Sequence, residues 1–112
     1  MAAPIRWATG KVNAAGAFIG GLANQDRITA VAKTSTGVYE LTLENALGVG
    51  ECCPTVTPWY PASSGTPPQA LWSAGLKADE VTLVVNLFEV IAGVVIPADT
   101  DFCVVVDRLS PS

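Results

Sequence analysis

Gly37-Val38-Tyr39-Glu40-Leu41-Thr42-Leu43-Glu44 is the stretch that decides the fold class. In an extended chain Tyr39, Leu41 and Leu43 fall on one face, and Glu40, Thr42 and Glu44 on the other. Period-two alternation of this kind marks an antiparallel strand with one face in a core and the other in water. Thr34-Ser35-Thr36-Gly37, just before it, is turn chemistry, so residues 27–33 are expected to fold back as the hairpin partner. There Ile28, Ala30 and Ala32 alternate with Arg27, Thr29 and Lys33, and Val31 breaks the pattern.

Toward the N-terminus, residues 5–12 read as a strand with Ile5 and Trp7 on one face. Asn13-Ala14-Ala15-Gly16 turns into a short strand at Ala17-Phe18-Ile19, stopped by Gly20-Gly21. After Glu44, residues 45–50 form a loop and 51–57 a strand. Pro54 assigns that strand to an edge or a bulge, because proline donates nothing to a ladder. Residues 58–68 carry four prolines together with Ser63, Ser64 and Gly65, and read as a long exposed loop. A short strand at 69–73 and a turn at 75–79 follow.

The last third has a different character. Residues 81–88, 90–96 (broken at Ala92-Gly93) and 102–106 are apolar on both faces, and such strands need cover on both sides. In an all-β chain one cover is the opposing sheet. The other is expected to be a neighbouring subunit. Seven to eight short strands parted by Gly, Pro, Asn and Asp turns predict one all-β domain, an antiparallel β-sandwich or jelly roll.

Composition points the same way. Half of the 112 residues are apolar and 14% are charged, against about 25% charged in ordinary globular chains. A chain this short leaves much of its surface outside any core, so contact with other chains is the natural outlet. The net charge of −4 comes from six basic and ten acidic residues, the basic ones scattered singly. Nucleic-acid binding needs a concentrated positive face, so none is expected. The apolar window 81–98 includes Asn86, Glu89, Gly93 and Pro97, which suits two strands and a turn rather than a membrane span. Three cysteines without a basic-flanked apolar leader suggest a reducing compartment.

Candidate chemistry is sparse. Without histidine there is no Ser-His-Asp or Cys-His arrangement. Asp99 and Asp101 are the closest-spaced carboxylates, but within Pro-Ala-Asp-Thr-Asp they read as solvated turn residues rather than as a hydrolytic pair or calcium ligands. Cys52-Cys53 reads as thiols packed as small hydrophobes, with a disulfide open if either lies near Cys103. No catalytic residue, cofactor or metal is expected. Trp7 and Trp72 are expected in the core. Trp59 and Tyr60, at the mouth of the proline-rich loop, are candidate contacts for a protein partner or, in a carbohydrate-binding module, for a glycan.

Residues 37–43, in the order Gly-x-Tyr-x-apolar-Thr-apolar, resemble a hairpin of small β-sandwich modules in bacteriophage fibres, head decorations and related virion appendages. The glycine-rich strands before it and the valine-rich strands after it are similar as well. The resemblance implies a homo-oligomeric, usually trimeric, virion surface or tip protein that meets other capsid or tail proteins and assembles in the host cytoplasm. It carries over no catalytic residue. Self-association is expected through the valine-rich strands, with Val84, Phe88 and Val105 at the interface.

Overall fold

The computed structural model describes residues 5–59 and 69–109. Eight strands make up most of it: β1 (Ile5–Val12), β2 (Ile28–Ser35), β3 (Val38–Leu43), β4 (Cys52–Trp59), β5 (Gln69–Leu76), β6 (Thr82–Ile91), β7 (Val94–Pro97) and β8 (Asp101–Arg108). Two single 3₁₀ turns, Leu22–Asn24 and Val49–Glu51, join them, and there is no α-helix among the described residues. All pairings are antiparallel. One sheet has the order β1-β8-β4 and the other β2-β3-β6-β5, with β7 also paired to β6. The protein is an all-β sandwich.

The alternation read from residues 37–44 is what closes the core. Tyr39, Leu41 and Leu43 point inward and are fully buried, joined by Leu83, Val85 and Leu87 of β6. Across the sandwich they meet Ala8, Val12, Val56, Phe102, Val104 and Val106 of the three-stranded sheet. Each such Val, Leu or Phe contributes about 1.5–3 kcal/mol on burial. Tyr39 and Phe102 pack edge to face, ring centroids 5.0 Å apart, as the ring quadrupoles prefer.

The hairpin of β2 and β3 forms as expected, with two register shifts, at residues 28–30 and 33–35, and the first has a visible consequence. Ile28 pairs with Leu43 but Ala30 pairs with Thr42, so Thr29 is an extra residue. The bulge shifts the face of everything after it, turning Val31 to the core side and Ala30 and Ala32 outward. At the turn Gly37 adopts φ 73° and its Cα lies against the β6 backbone. A Cβ there would sit 2.5 Å from the Leu87 carbonyl oxygen. Only glycine fits both the conformation and the space.

Two strand expectations change, and one is met. Ala17-Phe18-Ile19 forms only an isolated bridge, Phe18 to Val12. The strand expected at 69–73 extends to Leu76. The two strands and a turn expected over residues 81–98, with the break at Ala92-Gly93, are what forms. β6 runs on to Ile91, turns through Ala92 (φ 51°) and Gly93 (φ 80°), and returns as β7. Two successive positive φ angles are the type I′ pattern that suits a two-residue hairpin.

Candidate self-association surface

The two aspartates act as latches. Asp99 Oδ1 accepts the Gly37 N–H at 2.8 Å, and Oδ2 pairs with Lys33 Nζ at 2.6 Å. Asp101 Oδ1 accepts the Ala14 N–H at 2.7 Å, and the Tyr39 hydroxyl donates to the Ala14 carbonyl at 2.7 Å. Together they tie the loop before β8 to two turns at the same end of the sandwich. Asp99 is exposed as expected, whereas Asp101 is half-buried at the start of β8, and both make specific contacts besides. Burial raises the Asp99 carboxyl, but Lys33 and the Gly37 N–H outweigh it and hold the group below its usual value. Tyr39 is pushed up to about 12 by burial and by the nearby Asp99 charge. Both carboxylates are spent on backbone and lysine partners, which is poor preparation for hydrolysis.

Among the described residues no group of three or more His, Cys, Asp or Glu side chains is placed to hold a metal. Cys103 lies across from Thr57, whereas Cys52 and Cys53 face Arg108 and Asp107 at the far end of the same ladder. All three are free thiols. Cys52 packs against the core, and burial raises its thiol pKa. Cys53 is exposed.

The tryptophans divide. Trp7 packs at the margin of the core with the Arg27 and Arg108 guanidinium groups 5.2 and 5.4 Å from its ring. Trp72, expected in the core, is 40% exposed. It lies on the inner side of its sheet opposite Leu87, but on the edge strand. Trp59 ends β4. Its side chain and Tyr60 lie outside the described residues.

Val84, Phe88 and Val105 do not share a surface. Val84 and Phe88 lie on the outer face of the larger sheet and Val105 on the outer face of the smaller one, with the core between. Each is half-buried, because each sits on a central strand between two neighbours. Val105 lies between Thr9 and Thr55, and Val84 between Glu40 and Gly75. The Lys77–Glu40 ion pair, 3.1 Å, spans β6 beside Val84. Part of the outer cover expected from a second subunit thus comes from the chain's own neighbouring strands.

The uncovered apolar surface lies elsewhere. Inward residues of β6 stay buried through Leu87, then Glu89 is half-buried and Ile91 is 50% exposed. Beyond Leu87 the strand has outrun the opposing sheet. β5, β6 and β7 continue as an arm, with Leu71 45%, Val94 57% and Val95 54% exposed. The ladder puts Leu71, Phe88, Val90 and Val95 on one face and Trp72, Ile91, Val94 and Ile96 on the other. The two-faced apolar run at 90–96 was the sequence signal for this arm, and Leu71 and Trp72 gave none of their own.

No family model, characterised protein or solved structure matches this chain. The surface has to be read from its own chemistry.

Proposed function

We propose that this chain is a structural subunit that self-associates and builds into a larger assembly of bacteriophage virion type, as a head decoration or a fibre or tip component. The observation that carries the reading is the arm of β5, β6 and β7, which leaves Leu71, Trp72, Ile91, Val94 and Val95 between 40% and 57% exposed. These side chains fall on both faces of the arm, and exposed large apolar groups gathered on one element mark contact with another molecule. The two acidic candidates for catalysis are engaged as structural latches, which favours a structural over an enzymatic role. The virion assignment rests on the hairpin resemblance at residues 37–43.

Size-exclusion chromatography with light scattering tests the first part. A defined oligomer at micromolar concentration is expected, and a clean monomer overturns self-association. Mass spectrometry of purified phage particles from cells that make the chain tests the second. Its absence from the particles removes the virion role.

A further inference from the structure

A β-sandwich presents unpaired backbone groups along every sheet edge, and natural sheets block those edges against unwanted pairing. Here the edges differ sharply. β1 carries Arg6, Lys11 and a register shift at residues 6–8, and its backbone is bridged by Asp26 through paired 2.9 Å hydrogen bonds at Thr9. β2 has two register shifts and Lys33. β4 contains Pro54 and Pro58. β7 is four residues long and ends in Pro97.

β5 has none of these devices. Its sequence, Gln-Ala-Leu-Trp-Ser-Ala-Gly-Leu, holds no charge and no proline, and it pairs with β6 in unbroken register from Gln69 to Leu76. On its other side no described strand pairs with it, and β4 of the opposing sheet is its nearest neighbour across the sandwich. Leu71 and Trp72 flank that free side, one on each face and both about half exposed. Such an edge is shaped to take another strand between two apolar walls.

We infer that β5 pairs antiparallel with β5 of a second copy of this chain, joining two five-stranded sheets into one across a two-fold axis. This rests on the self-association reading above and names its contact. Charge supports a second copy as the occupant. The chain carries a net charge of −4, yet two β5 edges meet without a like-charge clash. Such a contact is isologous and closes at two copies, so it gives a dimer where the resemblance implied a trimer.

Geometry also selects the register. A two-fold axis perpendicular to the sheet keeps inner faces together, so the axis must pass through a residue rather than between two. Centred on Ser73, Leu71 meets Gly75 and Trp72 meets Ala74 of the second copy, large against small. A Cβ built on Gly75 meets nothing within 4 Å, which leaves room for the leucine. Centred on Trp72 instead, Leu71 meets Ser73, and the open space over Gly75 lies opposite Gln69 rather than the leucine. Ser73 is the centre.

The test compares wild type, Ser73→Lys and Leu71→Lys under reducing conditions by light scattering, far-UV circular dichroism and amide hydrogen exchange. Both sites are exposed, so lysine is solvated in the monomer, while in the pair Ser73→Lys sets two ammonium groups face to face. The expected result is a wild-type dimer, with both variants folded and their dimer dissociation constants raised about tenfold or more. Amides of β5 should be protected in the wild type in a manner that vanishes on dilution, a readout that serves even if a variant fails to fold. An oligomer unchanged in both variants leaves self-association standing and overturns the β5 contact. A wild-type monomer overturns both. Protection of β5 that is independent of concentration means that residues of the same chain cover the edge, which also overturns the inference.

Discussion

Replacing Tyr39 with phenylalanine removes one oxygen from the centre of the protein and should be felt in two ways. The ring is fully buried and packs on Phe102, so Tyr39→Phe keeps the packing intact. What goes is the 2.7 Å hydrogen bond to the Ala14 carbonyl, together with the hydroxyl's hydrogen-bonding with the Thr100 backbone and Asp99. A net intramolecular hydrogen bond contributes about 0.5–1.5 kcal/mol, and an acceptor left buried without a partner costs about 1–3 kcal/mol. Ala14 is only half-buried, so water can reach its carbonyl and the lower range applies. We expect a loss of about 1 kcal/mol, or about 4–8 °C in melting temperature for a domain of this size. Tyr39→Ala, which empties the site and breaks the aromatic pair, should cost about 3–5 kcal/mol. The second signature is pH dependence. Tyr39 titrates at about 12 in the fold against 10.0 ordinarily, so its neutral form is the one the fold prefers. That contribution is complete below the unfolded value and is lost as pH rises through the folded one. Wild type should lose stability between pH 10 and 12, and Tyr39→Phe should lose less. Denaturant unfolding monitored across pH measures both effects. A variant within about 0.3 kcal/mol of wild type at neutral pH, or with an identical alkaline limb, refutes the role assigned to the hydroxyl.

Gly37→Ala should destabilise by about 2 kcal/mol or more, since it adds left-handed strain to a collision with the β6 backbone; a near-neutral result in thermal melts would mean the turn can move aside. Ala92→Asn should stabilise by about 0.5–1 kcal/mol, because asparagine tolerates the positive φ that the type I′ turn imposes; chemical denaturation reads it directly. Asp99→Asn should reduce stability at neutral pH and match wild type once the pH has fallen below the lowered folded pKa of the carboxylate. The carboxylate's folded pKa is lowered, so its contribution exists above the unfolded value of about 3.9 and disappears as pH falls through the folded one. Val105→Asp should weaken the fold yet leave the oligomer intact, since Val105 lies on the sheet that does not include β5; a folded monomer by light scattering would move the interface to the smaller sheet.

Residues 37–44 announced their own strand, face and turn because alternation and turn chemistry are local. The same locality located β1, the β2–β3 hairpin and the edge position of the strand containing Pro54. Where several outcomes share one local pattern, the reading failed. Val31 looked like an exception until the Thr29 bulge reversed its face, and a bulge depends on the register of a partner strand. Trp72 looked like core because tryptophan is large and apolar. Its exposure follows from edge position.

The contact surface divides the same way. An excess of apolar over charged residues, concentrated after residue 80, was plain from composition and implied contact beyond the chain's own core. Its location was not. Val84, Phe88 and Val105 share a chemistry but end on opposite sides of the sandwich, since the face a side chain takes is set by sheet assignment. By itself the sequence determined an all-β chain, the faces of its alternating strands and an apolar surplus, all consequences of backbone period and composition. Only the tertiary structure decided which strands became edges and where one sheet outran the other. Those depend on pairings between residues far apart in the chain, and they are what leave Leu71, Trp72 and the arm uncovered.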